Sequence, residues 1–142
     1  KAKLFVIGSD EDNLTHLLKN NPSIEFLGFK TNVSEYYAFA DILCFPSHRE
    51  GFGNVIIEAA ACNLPAIASD IYGLSDAVQN GYSGLLHKVK SEADIQRCMK
   101  SVIEKPELLQ ALRENGKKRV KEVFDEEILL GEFVGFYSRL LR

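Results

Sequence analysis

No stretch of this 142-residue sequence is long and apolar enough to span a bilayer. Lys1-Ala2-Lys3 and the short apolar run behind it read as a strand, not a signal peptide. Cysteine is scarce: Cys44, Cys62 and Cys98 are scattered, odd in number and without metal-ligand spacing. That argues against a disulfide framework or a zinc site and for reduced, mostly buried thiols of a cytoplasmic protein. His16, His48 and His87 are equally dispersed, so no histidine-built metal centre is expected. An excess of positive charge is missing too. With 17 Lys and Arg against 20 Asp and Glu, net charge is -3, and nothing global favours nucleic acid. What remains is 46% hydrophobic, enough for one globular domain over residues 1–142 with its own core.

The chain alternates strand and helix patterns. Lys3 to Ile7 is a short apolar strand ending at Gly8-Ser9-Asp10, and Asp12 to Lys19 is a helical pattern with Leu14, Leu17 and Leu18 on one face. Asn21-Pro22 breaks it before a strand from Ile24 to Leu27, closed by Gly28. Val33 to Ala40 is helical, Asp41 to Pro46 is a strand, and Asn63-Leu64-Pro65 turns the chain into the strand Ala66 to Ser69. Such alternation predicts an α/β fold, a Rossmann-like doubly wound parallel sheet covered on both faces. Ligands then bind at the C-terminal strand edge, where Gly8 to Glu11, Gly28 to Asn32, Ser47 to Asn54 and Asp70 to Ser75 land. From residue 91 to 142 the chain is helical. Ser91 opens one helix in a capping-box pattern, Pro106 begins the next at its first turn, and Asp125-Glu126-Glu127 starts the last. Leu129, Phe133, Phe136, Tyr137 and Leu140 recur on that last helix at helical spacing, for which core packing is the default explanation.

One stretch organises the rest: Arg49-Glu50-Gly51-Phe52-Gly53-Asn54-Val55-Ile56-Ile57-Glu58-Ala59-Ala60-Ala61. It reads as a strand end, a glycine-bearing turn and a helix. Gly51 and Gly53 permit angles and close approaches that a side chain forbids, and Asn54 is read as the helix N-cap. Val55, Ile56 and Ile57 then fill the first turn, their N–H groups unpartnered at the positive end of the helix dipole. That suits a phosphate. Helical side chains lean toward the N-terminus, so Glu58 can reach the same mouth and accept from a ribose diol. Glu50 approaches from the loop side. The bland alternative is a solvated loop Glu and a helix Glu satisfying nearby backbone.

Two Glu separated by seven residues, with Gly-Phe-Gly after the first and Glu-Ala-Ala at the second, resemble the signature of retaining group-1 (family 4) glycosyltransferases. The resemblance implies the C-terminal, donor-binding half of a GT-B fold enzyme. It also implies binding of a nucleotide-diphosphate sugar for retaining, hexosyl-type transfer to an acceptor, as in bacterial surface polysaccharide or glycolipid synthesis. By resemblance, Glu50 orients the donor sugar and supports charge, Glu58 holds ribose, and Gly51, Phe52, Gly53, Asn54 and Val55 line the donor. Gly28-Phe29-Lys30 resembles the segment whose backbone meets the base, and Asp70-Ile71-Tyr72-Gly73 the loop closing over phosphates and sugar through the Gly73 N–H. Gly81-Tyr82-Ser83-Gly84 resembles the turn into a last short strand and reads as structural, as do Tyr36 and Tyr37.

The resemblance implies no cofactor and no metal, since helix amides can stabilise a leaving diphosphate. It implies further that the acceptor site lies in an N-terminal domain outside this stretch, so the stretch alone is expected to be inactive, and that the last helix crosses back toward that domain, leaving part of its apolar face exposed here. Family members often use lipid-linked acceptors, which makes Arg113, Lys117, Lys118, Arg119 and Lys121 a candidate peripheral contact at the inner membrane face. A solvated helix face is the favoured explanation for them, because Glu114 and Glu122 interrupt the charge and the count is modest. Two alternatives from other classes are a non-catalytic nucleotide-sugar-binding module and a GT-B epimerase or phosphorylase.

Overall fold

The computed structural model describes residues 2–18 and 20–141. The chain forms two compact units, Lys1–Val33 and Ser34–Arg142, each with its own parallel sheet. In the first unit, β1 (Leu4–Ile7) pairs in parallel with β2 (Ile24–Gly28), Leu4 opposite Ile24. The connection departs from expectation. Instead of an amphipathic helix over Asp12 to Lys19 it holds one 3₁₀ turn, Leu14–Leu17, with Leu14 52% and Leu17 67% exposed. Lys19 lies outside the described residues. The reason is local. The Asp10 carboxylate takes the N–H groups of Leu14 (2.7 Å) and Thr15 (2.9 Å), and Asn13 is left-handed (φ 53). The turn therefore begins too late for a second turn before Pro22. Those bonds, Thr15's first, hold the Asp10 carboxyl below the usual carboxylate range.

The second unit runs α1 (Ser34–Phe39), β3 (Leu43–Phe45), α2 (Asn54–Ala61), β4 (Ala66–Ser69), α3 (Leu74–Ala77) and β5 (Gly84–His87). Helices α4 (Glu92–Glu104), α5 (Pro106–Val123) and α6 (Glu126–Leu140) follow. The sheet order is β3-β4-β5, all parallel, with Leu43 opposite Ala66 and Ser69 opposite His87. Strand β4 is central and buried along its whole length. Its alternation feeds two cores. Ala66 and Ala68 pack with Ile56, Leu74, Ala77 and Val78, while Ile67 packs with Cys98, Val102 and Leu112 on the opposite face. Both faces are thus covered, as the doubly wound reading requires.

Local chemistry places the helices. Ser91 caps α4 by accepting from Asp94 N (3.3 Å), and Asp94 reaches back to Lys88 N (2.7 Å) instead of closing the box on Ser91. Pro106 stands at the start of α5, and Asp125 caps α6 from Glu127 N (3.0 Å). Core packing, the default for α6, is not seen, whereas the exposed apolar face that the resemblance implies is: none of its residues is buried, and Leu129, Phe133, Phe136, Tyr137 and Leu140 are 42–65% exposed. The cysteines also depart from the mostly buried expectation. All three are free thiols, but only Cys98 is buried, while Cys44 is intermediate and Cys62 exposed.

Gly84 reads as structural, and its surroundings agree. A Cβ there would stand 2.7 Å from Ala66 O and 2.9 Å from Val78 Cγ1, between the strand and the core. Gly84→Ala is expected to cost about 1–3 kcal/mol, as overpacking does. Thermal unfolding checks this, and an unchanged Tm would show that the strand can shift to make room.

Candidate functional site

The signature loop leaves β3 through Pro46 and Ser47, whose hydroxyl donates to Arg49 O (3.0 Å) and tightens the exit. Glu50 is half-buried, and its Oε1 accepts from Gly51 N (3.1 Å). Phe52 is 45% exposed. The helix then starts one residue earlier than expected. Gly53, not Asn54, is the N-cap of α2, left-handed at φ 72, and Asn54 is the first helical residue with no side-chain cap bond. Ile56 N and Ile57 N both donate to Gly53 O, at 2.9 and 3.4 Å, which corrects the reading that left them unpartnered. Among the described residues, the N–H groups of Asn54 and Val55 are the ones without a protein acceptor at this helix start. They stand at the positive end of α2.

The glycines divide their work differently from the sequence reading. Gly51 has ordinary angles and open space where a Cβ would stand. Gly53 is buried, and a Cβ there would meet Leu74 Cδ2 at 2.7 Å. The tightest approach belongs to Gly73, the N-cap of α3 at φ 86. A Cβ on Gly73 would lie 2.5 Å from Gly51 O and 2.9 Å from Glu50 O. The Asp70–Gly73 loop therefore sits backbone to backbone against the signature loop. Side-chain packing alone does not reach this close.

Glu58 is exposed on α2, beside α1. Its carboxylate acts on Tyr37: burial first, then Glu58, then the Cys62 thiol push the Tyr37 phenol above its ordinary range. Tyr37 is 7% exposed, so the packing reading for it holds, and Tyr36 meets Phe39 in a tilted ring contact with centroids 5.7 Å apart. Within the second unit, Glu50, Gly51, Phe52, Gly53, Asn54 and Val55 form the loop and helix start that follow β3, Gly73 packs against the Glu50 and Gly51 carbonyls, and Glu58 lies one turn further along α2. Gly28, Phe29 and Lys30 follow β2 in the first unit, with Phe29 74% exposed and Lys30 half-buried.

Long-range partners carry no local signal and were not legible. Arg113 Nη2 donates to Asp41 Oδ1 (3.0 Å) and Asp41 O (3.3 Å), and Arg119 Nη2 donates to Asp76 O (2.9 Å). Two cations of the α5 basic stretch are thus turned inward, leaving Lys117, Lys118 and Lys121 exposed, with Lys118 3.8 Å from Glu122. A cleft of about 380 Å³ is lined by Pro46, His48, His87, the Lys90–Ser91 segment and the first turn of α4, and neither Glu50 nor Glu58 lines it. The chain contains one Asp-x-Asp spacing, Asp10-Glu11-Asp12, but Asp10 is committed to the two amides described above. Among the described residues no group of three or more His, Cys, Asp or Glu could hold a metal ion. Nor is any described helix long and apolar enough to cross a membrane.

Comparison with known proteins gives this arrangement relatives. The family model described as glycosyl transferases group 1 matches residues 1–119. The capsular polysaccharide biosynthesis glycosyltransferase CapM of Staphylococcus aureus is 33% identical over 99% of this chain and 39% of its own length. The N-acetyl-alpha-D-glucosaminyl L-malate synthase of Bacillus anthracis is 31% identical, over 99% of this chain and 38% of its own. The chain thus spans about two-fifths of the length of these relatives. Among solved structures, Anabaena HepE in complex with UDP superposes with a TM-score of 0.88 at 21% identity, over 97% of this chain and 41% of that one. That likeness shows the fold.

Gly51 and Gly73 should respond differently to a methyl group. Gly73→Ala forces a left-handed alanine into backbone atoms and is expected to cost about 2–4 kcal/mol, at the severe end for single substitutions. Gly51→Ala is expected to stay within about 0.5 kcal/mol, as surface changes do. Denaturant unfolding of both variants checks the contrast, and equal losses would remove the interlock.

Proposed function

Since the chain belongs to the group 1 glycosyl transferases, we propose that it carries the donor side of a sugar transferase. On this reading it binds a nucleotide-diphosphate sugar whose hexosyl unit passes, with retention of configuration, to an acceptor held elsewhere in the whole protein. One observation carries the reading: the left-handed turn at Gly53 leaves the Asn54 and Val55 N–H groups open at the start of α2, between Glu50 and Glu58. Those amides take phosphate oxygens, and their fixed dipoles favour the negative charge that grows on the leaving diphosphate. Glu58, exposed one turn into α2, accepts both hydroxyls of the ribose. Glu50 contacts the donor sugar and supports charge as the bond breaks. Gly51, lacking a side chain, and Phe52 border the sugar. Gly73 offers its N–H to the donor in addition to its packing role. Gly28, Phe29 and Lys30, in the first unit, meet the base through backbone.

No protein-bound metal or cofactor belongs to this proposal, because the helix amides supply the electrostatic part of catalysis. The name of the capsular polysaccharide relative supports surface polysaccharide or glycolipid synthesis as the pathway class, and on this reading the protein lies in the cytoplasm. Contact with an anionic membrane surface runs through Lys117, Lys118 and Lys121 on this reading, since the two arginines of α5 are engaged. A binding module without catalysis shares the amides and Glu58 but has no use for Glu50.

The two glutamates are separable in the full-length protein. Glu58→Ala should weaken the nucleoside diphosphate itself by about tenfold or more, the loss of charged hydrogen bonds of about 1.5–3 kcal/mol. A 2′-deoxy donor should respond much less to that change. Glu50→Ala should leave nucleoside diphosphate affinity nearly unchanged and lower kcat, because its contact strengthens as the bond breaks. Isothermal titration beside steady-state transfer rates decides. Equal loss of nucleotide affinity in both variants removes the division of labour, and no loss in either returns both residues to solvated surface.

A further inference from the structure

The last turn of α5 grips the signature loop from two directions. Phe124, the C-cap of α5, meets Phe52 edge to face, with ring centroids 5.9 Å apart and planes at 79°. Arg119 stacks its guanidinium over the Phe124 ring, Cζ 5.4 Å from the centroid, while its Nη2 donates to Asp76 O (2.9 Å) in α3. A planar guanidinium can stack and donate at once, which an ammonium does less well. The α3 helix that Arg119 holds begins at Gly73, the residue wedged against the carbonyls of Glu50 and Gly51. One flank of the loop is thus tied to α5 through Phe52, the other through α3.

Neither Arg119 nor Phe124 belongs to a core cluster, and Phe52 is 45% exposed. These contacts bury little apolar surface. What they restrict is the freedom of a loop that has few other side-chain anchors. We infer that Arg119 and Phe124 are positioning residues for the Glu50–Gly53 loop, acting through Phe52 and Asp76 and touching neither substrate. The consequence for transfer rests on the function proposed above, whereas the clamp itself does not.

The test uses Phe124→Ala, Phe52→Ala, their double variant and Phe124→Tyr in the full-length protein. Its first arm is amide hydrogen exchange at Ile56 and Ile57, both bonded to Gly53 O, against Ile67 and Ala68 in buried β4. Phe124→Ala should speed exchange at Ile56 and Ile57 by about tenfold and leave Ile67 and Ala68 unchanged, and Phe124→Tyr should restore it. Adding Phe124→Ala to Phe52→Ala should add little, because the first acts through the second. The second arm is steady-state kinetics: kcat should fall by about tenfold with donor KM nearly unchanged. If Phe124→Ala also loosens β4, Arg119→Met decides by the same exchange comparison. Unchanged exchange at Ile56 and Ile57, or fully additive effects of Phe52→Ala and Phe124→Ala, overturns the clamp. A wild-type protein that transfers no sugar overturns the functional reading, and the exchange arm still judges the clamp.

Discussion

Everything around the signature depends on one close approach: the Gly73 backbone lying against the carbonyl oxygens of Glu50 and Gly51. Parallel strands β3 and β4 run side by side, so their following loops emerge as neighbours and compete for the same space. Side chains at the contact would force them apart. With Gly73 on one loop and Gly53 packed under Leu74 on the other, the loops interlock instead. That interlock sets where Glu50 sits and which amides α2 leaves open. The hydrophobic core beneath supplies the stability, but the glycine contact supplies the shape.

How legible this was varied with the range of the deciding force. Strand β4 was readable as Ala66 to Ser69, because Pro65 and a buried apolar run bound it, and Ser91, Pro106 and Asp125 announced their helices through local capping chemistry. The start of α2 was misjudged by one residue for a physical reason. Asn54 is a good N-cap in isolation, but Gly53 takes the left-handed angle that the turn needs, and its carbonyl captures Ile56 and Ile57. The four residues of α3 form no period long enough to read. Arg119 and Asp76 are 43 residues apart, and Arg113 and Asp41 are 72 apart, so nothing in either neighbourhood predicts the pairing. Charge patterning suggested a solvated or membrane-facing stripe on α5, where two of its five cations are struts.

The exposed apolar side of α6 teaches the same lesson in reverse. Periodicity correctly assigned it as a helix but could not say which surface covers it, since spacing encodes a face and not its partner. The helix is held at its N-terminus by the Asp125 cap, whereas Phe133, Phe136 and Tyr137 remain open to solvent. Cys62 is a smaller case. It sits at the C-cap of α2, where the chain turns outward, so residue type alone misjudged its burial.

Charge balance sets the final constraint on the proposed donor site. A diphosphate brings about two negative charges, while a helix start offers the equivalent of only about half a positive one. Glu50 and Glu58 add negative charge on either side. On the proposed reading, the open amides of Asn54 and Val55 therefore orient a phosphate more than they neutralise its full charge. Arg49 is exposed beside Glu50 in sequence, and Arg113 and Arg119 are already spent on Asp41 and Asp76. This explains why precision, more than charge, is what the second unit contributes. Its glycine interlock fixes the backbone of the Glu50–Gly53 loop, and on the proposed reading a site that selects by geometry discriminates between ground state and transition state in a way that a loose cluster of lysines does not.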